Sequence, residues 1–549
     1  MRNVRLRNFT LLNILMLSLA IAGCKKDKNN TPTPTTTTPV ADSRLKQTVT
    51  TNRLELSNDS LFLYAKEIYF WNESLPTYDA YEPRKYTTAG STLLNLENNL
   101  FSLVKAAGKA DYLPTAGSPK YSYIQDATTA NPTPIVAAPN AQASVDLEGN
   151  GNDIGIYAIS PVTKDNTTYK LYISAVSDNS PAAKAGLTRG AYITSINDQS
   201  VGSVAAFNAG SERTLINATI YGNPAVIMLQ GFKTDGSAFN VTLTKASYRS
   251  SPIYKSNVLT AGTHKIGYLS YARFSNTSNS VSALTAIFND FASKGVTDLV
   301  VDLRYNGGGY VSTAEYLTNL IAPASASGTM YIEHFNNNLK NRKQSDPSIL
   351  SHQPLLDGND KVQYGSGGKM ITYADIDYSV AGNTNLFSKK GNLSSVTNIV
   401  FIVSARTASA SELVINNLKP KMTVNLVGKT TYGKPIGFFP FRLENRYDVY
   451  LSLFETKNSA GQGEYYNGMV PDVDGGTDFA EYDWGNPSES YLAKALNIIA
   501  PGVTAIGSAN RLYSATAGKG VADQLKVIGE FENDKEFIGM IETRHQVKK

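Results

Sequence analysis

Thr297-Asp-Leu-Val-Val-Asp-Leu-Arg304 runs directly into Tyr305-Asn-Gly-Gly-Gly309. The apolar residues of the first segment follow one another instead of alternating with polar ones, the pattern of a strand buried on both faces. The glycine run that ends it marks a turn. Upstream, Ile266-Gly-Tyr-Leu-Ser-Tyr271 reads as a strand, and Asn279 to Lys294 as a helix with Val281, Leu284, Ile287, Phe288 and Phe291 on one face. Downstream, Val311 to Ile321 is helical and Asn398-Ile-Val-Phe-Ile-Val403 is a second buried strand. A helix from about Ser411 to Leu418 and a strand from Thr423 to Val427 follow. Repeated strand–helix units predict an α/β domain with a mainly parallel sheet, here over residues 251–500. A polar stretch, about 325–395, reads as an insertion in it.

The rest of the chain differs in character, so the whole is multi-domain and α+β overall. Residues 45–145 are predicted to be an N-terminal helical domain. Apolar residues recur at three- and four-residue spacing through Ser60 to Trp71 and again through Thr92 to Val104. Residues 146–250 read as a small β domain, with strands at Ile154 to Ile159, Leu171 to Val176 and Gly190 to Asn197. Pro181 suits the first turn of a short helix and Gly186 its exit. Ser180-Pro-Ala-Ala-Lys-Ala-Gly-Leu187 and Gly190-Ala-Tyr-Ile-Thr-Ser-Ile-Asn197 resemble a PDZ domain of the bacterial protease type. That resemblance implies capture of a peptide's C-terminus by strand addition, with Ile154, Gly155 and Ile156 at the peptide-binding loop.

The 549 residues exceed one ordinary core, and 42% hydrophobic with 18% charged residues suits a folded chain. The net charge is +5, and three of those charges, Arg2, Arg5 and Arg7, lie in a segment expected to be removed. The remaining excess is too small to imply nucleic acid as a partner. The single cysteine, Cys24, excludes an intrachain disulfide. None of His264, His334, His352 and His545 stands at His-x-x-x-His spacing, so no metal site or other cofactor is expected.

Arg2, Arg5 and Arg7 followed by the apolar run Phe9 to Ala20 read as a secretory signal, residues 1–23. Ile21-Ala22-Gly23-Cys24 resembles a bacterial lipobox, which implies cleavage before Cys24 and acylation of its sulfur. A Thr/Pro-rich tether, residues 24–44, follows. The expected location is therefore exported and membrane-anchored through lipidated Cys24, at the outer membrane on its periplasmic or surface face. No later segment approaches 18 apolar residues.

Chemistry concentrates in three loops: Asp302-Leu-Arg-Tyr-Asn-Gly-Gly-Gly309, Ala405-Arg-Thr-Ala-Ser-Ala-Ser-Glu412 and Gly428-Lys-Thr-Thr-Tyr-Gly-Lys-Pro-Ile-Gly437. Open α/β sheets place their sites at such strand ends. Together, in this order and spacing, the loops resemble the C-terminal processing (tail-specific) serine peptidase family over roughly residues 150–500. The resemblance implies Ser409 as nucleophile and Lys434 as general base. A serine hydroxyl needs a base to take its proton, no histidine is near these motifs, and a lysine serves once burial has lowered its pKa. The amide of Ala410 with that of Gly308 or Gly309 would form the oxyanion hole. Asp302, Arg304 and Asn306 are assigned to support of the loop. Ser409-x-x-Glu412 also reads as a capping box. The family pattern places a glutamine four residues after the lysine; here that residue is Phe438. The expected partners are protein or peptide substrates with free C-termini. The alternative reading is a non-catalytic peptide- or ligand-binding lipoprotein on the same fold. The tail, residues 501–549, matches no pattern.

Overall fold

A computed structural model describes residues 48–126, 145–357, 361–503, 525–529, 531–532 and 538–543. The expected signal peptide and the whole of the tether lie outside them. The buried strands build a six-stranded sheet in the order Ile253–Ala261, His264–Tyr271, Asp298–Asp302, Asn398–Val403, Thr423–Gly428, Val473–Asp474. The first pair is antiparallel and every later pair parallel. Successive side chains of the central strands enter opposite layers. Leu299, Val301, Ile399, Phe401 and Val403 join a core with the helices Thr277–Ser293, Val311–Ile321 and Ala410–Leu418. Val300, Val400, Ile402 and Val427 pack on the other side against Leu492, Ala495 and Leu496 of the helix Ser490–Ile499. Both faces are covered, so both kinds of position had to be apolar.

The N-terminal helices, Arg53–Ile68 and Thr92–Ala107, are capped by Asn52 and Ser91. Their buried residues, among them Leu61, Phe62, Leu100 and Leu103, belong to the same core as the first face of the large sheet. The polar stretch at 325–395 is likewise integral in part. Thr329–Phe335 is a strand between Thr384–Leu386 and Phe454–Asn458, in a four-stranded sheet that ends on Ile436–Gly437 beside Lys434. Leu339, Leu350, Leu355 and Tyr378 bury into the main core.

The β domain has its own core. Its sheet runs Ala238–Thr244, Val226–Phe232, Tyr192–Ile196, Tyr169–Val176, Ile156–Thr163. Ser180 caps the helix Pro181–Lys184, which has Pro at its start, and Gly186 follows at φ 74°. Gly155, at φ 86°, lies so close to Ser180 that an added Cβ would stand 2.0 Å from the serine side chain. Only glycine fits there. The free edge of the Ile156–Thr163 strand is taken by Lys526–Val527 and Phe531–Glu532, both antiparallel to it. No helix among the described residues is long and apolar enough to cross a membrane.

Candidate active site

Strands Asp298–Asp302 and Asn398–Val403 run parallel and adjacent, so the loops that follow them emerge at one edge of the sheet. The two loops are stitched together. Thr407 donates to the Leu303 carbonyl at 2.9 Å, and the Asn306 carbonyl accepts from the Ala408 amide and the Ser411 hydroxyl, both at 3.1 Å. Asn306 Nδ2 donates to the Tyr271 carbonyl at 2.9 Å. Ser409 stands at the turn into the helix with φ 57° and ψ −105°. A non-glycine residue held there is strained, which a purely structural helix start does not need.

Of the expected capping box, Ser409 and Glu412 keep only the carboxylate half. The carboxylate half is a hydrogen bond from the Ser409 amide to Glu412 Oε2 at 2.8 Å, while Ser409 Oγ, fully buried, has no hydrogen-bond partner among the described residues. The same Oε2 accepts the Lys434 amide at 2.8 Å, and Oε1 accepts the Gly433 amide at 2.8 Å and the Thr431 hydroxyl. Burial pushes the Glu412 carboxyl up, and these four donors oppose the shift.

Lys434 is 2% exposed. Burial pulls its ammonium from 10.5 down to about 7, against the Asp111 and Glu412 carboxylates, which raise it. Its Nζ lies 4.5 Å from the centre of the Phe438 ring and 5.7 Å from that of Tyr121. Phe438 thus offers the ammonium an aromatic face where a glutamine would offer an oxygen. The carbonyl of Ile538, from the tail, accepts from Nζ at 2.8 Å. Ser409 and Lys434 are therefore both buried and share one tethering carboxylate but are not hydrogen-bonded to each other.

The oxyanion expectation narrows. The Gly308 amide turns back to Asn306 Oδ1 at 3.0 Å, which removes it from that role. Gly309 is left. The parallel register of Gly308–Tyr310 with Gly539–Ile541 directs its N–H toward the Gly539 carbonyl. A Cβ on Gly308 would lie 2.2 Å from that carbonyl oxygen and 3.1 Å from the Ala410 amide, so the glycine lets three backbones converge.

Asp302 and Arg304 sit beneath the loop. Arg304 is paired with Asp302 at 2.7 Å, Asp478 at 2.8 Å and Glu489 at 2.9 Å. Arg189 of the β domain also binds Asp478. Asp111 escaped the sequence reading. It is fully buried, accepts from the Tyr121 amide, both donors of Ser122 and the Ser452 hydroxyl, and raises the pKa of Lys434 across more than 300 residues of sequence. No motif marks it. Ile154, Gly155 and Ile156 sit at the start of the β-domain edge strand, where the Ile154 carbonyl accepts from Ala182 and that of Gly155 from Ser177. No cluster of metal-ligating side chains occurs among the described residues.

Residues 265–474 match the model of peptidase family S41, and residues 172–208 match that of a PDZ domain. A chloroplastic C-terminal processing peptidase of Tetradesmus obliquus is 25% identical over 214 residues, which span 39% of this chain and 36% of that relative. A crystal structure from Bacteroides fragilis described as an S41 protease superposes with a TM-score of 0.54 at 20% identity. It covers 80% of this chain and 96% of its own, a likeness of fold.

Proposed function

We propose, for a chain whose residues 265–474 form a peptidase family S41 domain and which also carries a PDZ domain, a serine endopeptidase working through Ser409 and Lys434. The observation that carries this reading is the single oxygen Glu412 Oε2, which takes the amides of both residues at 2.8 Å and so ties nucleophile to base. In the reaction, neutral Lys434 Nζ accepts the Ser409 proton as Oγ attacks the peptide carbonyl. The amides of Ala410 and Gly309 receive the developing oxyanion. Collapse expels the amine, which takes the proton back from Lys434, and leaves an ester on Ser409. Water, activated by the same lysine, releases the acid. The PDZ domain holds the substrate's C-terminal region by strand addition.

The test is casein or tagged-peptide cleavage by the chain lacking residues 1–44, with Ser409→Ala and Lys434→Ala beside it. Each form is assayed with and without the segment from 525 onward, because residues 538–541 lie against Lys434 and the Gly308–Tyr310 strand. If no form outpaces Ser409→Ala, the reading fails. The second reading, a peptide-holding protein without catalysis, is favoured by the missing Ser409–Lys434 hydrogen bond. Peptide binding without cleavage products by mass spectrometry would select it.

We also propose that the chain is exported and anchored in the membrane through acylated Cys24, at the end of the lipobox-like stretch. Labelled palmitate is expected to enter the wild type in cells and not Cys24→Ser. Equal labelling of the two would refute the anchor.

A further inference from the structure

Two surfaces of this molecule suit an extended peptide, and the chain's own tail occupies both. On the PDZ domain, Lys526–Val527 and Phe531–Glu532 add antiparallel to Ile156–Thr163. The Phe531 ring is buried edge-on against Phe207, with centroids 5.7 Å apart, and stacks on Tyr221. The Tyr221 hydroxyl donates to the Phe531 carbonyl at 2.6 Å. In the catalytic cleft, Gly539–Ile541 adds parallel to Gly308–Tyr310, and the Gly539 amide donates to the Gly307 carbonyl at 2.9 Å. Ile541 also bridges to Phe438. Met540 is fully buried and Ile541 nearly so.

We propose that the described tail segments 526–529, 531–532 and 538–541 are a built-in substrate mimic that holds the site closed until a competing peptide or removal of the tail frees it. The proposal rests on the peptidase reading of Ser409 and Lys434. Three contacts with the tail use groups that reading requires. The Ile538 carbonyl holds Lys434 Nζ, the atom that must take the Ser409 proton. The Gly539 carbonyl lies across from the Gly309 amide, on the side of the Ala410 amide. Phe531 fills the groove along the PDZ edge strand. With the tail in place the lysine points at a carbonyl instead of at the serine. The occupant also states the ligand class: an extended segment with an aromatic residue at the PDZ edge and, seven positions further on, an apolar stretch of the type Ile538-Gly-Met-Ile541.

Two measurements test this. A labelled synthetic peptide of residues 526–543 is added to Ser409→Ala protein lacking residues 525–549, and binding is followed by fluorescence anisotropy. Saturable binding, lost with a scrambled peptide, is expected. In parallel, kcat/KM for an unrelated peptide substrate is compared between the full chain, the truncated chain and full chains carrying Phe531→Asp or Met540→Asp. If the tail leaves the cleft open about a tenth of the time, removing it raises kcat/KM roughly 10-fold, and the peptide added in trans reverses the gain. Absent peptide binding, or truncated and substituted chains that melt cooperatively yet cleave no faster than the full chain, overturns the proposal. Loss of cooperative melting in all three tail variants also overturns it, because the tail is then a permanent structural strand. Peptide binding with no Ser409-dependent cleavage in any form instead removes the peptidase reading and leaves the self-bound strand.

Discussion

At the scale of single residues, the reaction proposed above makes Lys434 the group that sets the pH behaviour. Its ammonium is pulled to about 7 chiefly by burial, so the base form appears as pH rises through that value. The acid limb of kcat/KM is therefore expected to have its midpoint near pH 7, and Lys434→Arg, which stays protonated, to be as inactive as Ser409→Ala. The same depression is a stability statement. Between about 7 and the ordinary 10.5 the unfolded chain binds a proton that the folded chain refuses, so stability rises with pH across that window and the penalty is complete below it. Lys434→Met should thus raise the unfolding free energy more at pH 6 than at pH 10, by a few kcal/mol on the order set by the shift. Urea titrations at the two pH values measure it; an equal effect at both would contradict a depressed lysine. Ser409 was legible as the residue that starts the Ala410–Leu418 helix, and its role as nucleophile stays a proposal. The φ of 57° adds the strain that a cap alone does not require.

At the scale of elements, Glu412 joins two that are distant in sequence. From the first turn of the Ala410–Leu418 helix it gathers the amides of Ser409, Gly433 and Lys434. Glu412→Ala strands these three amides and the Thr431 hydroxyl, four buried donors, and should cost about 3 kcal/mol or more of stability. Glu412→Gln keeps the shape but exchanges one acceptor oxygen for an NH₂ group. A positioning role predicts that kcat falls by about 100-fold while KM stays near wild type. A fall in KM-dependent binding alone would place Glu412 elsewhere in the reaction. Motif logic found this glutamate as a cap because the S-x-x-E spacing is local. Its tie to the lysine loop was invisible because it depends on tertiary placement. The strands Asn398–Val403 and Asp298–Asp302 were legible for the opposite reason: burial on both faces writes itself into every residue. The strand Thr329–Phe335 was not, since its meaning comes from Phe454–Asn458, more than a hundred residues away. The three residues Gly539–Ile541 carry no pattern at all.

At the scale of the whole molecule, the PDZ domain and the six-stranded sheet are joined through buried charge. Arg189 from the first and Arg304 from the second meet at Asp478, with Glu489 beside Arg304 and the Trp484 ring within 4.5 Å and 5.2 Å of the two guanidiniums. Burial would raise the Asp478 carboxyl, but the two guanidiniums and the Tyr305 hydroxyl more than reverse this, so it is held well below the usual aspartate range. Its contribution is present above the pKa of an unfolded aspartate, about 4, and is lost as pH falls below it. Removing one partner of a buried pair typically costs about 3–5 kcal/mol, because the charge left behind stays buried. Arg189→Ala removes the cation through which the PDZ domain reaches Asp478, whereas Asp478→Asn leaves both guanidiniums short of an anion. Calorimetry of Arg189→Ala is therefore expected to show the PDZ domain melting ahead of the rest, where the wild type melts in one transition. Asp478→Asn should lower stability relative to wild type between pH 5 and pH 8, and the gap should narrow as pH falls below about 4, where the unfolded chain takes up a proton that the folded Asp478 carboxylate still refuses. A gap that stays constant down to pH 3 would mean that packing around Trp484, and not the charge on Asp478, holds the two domains together.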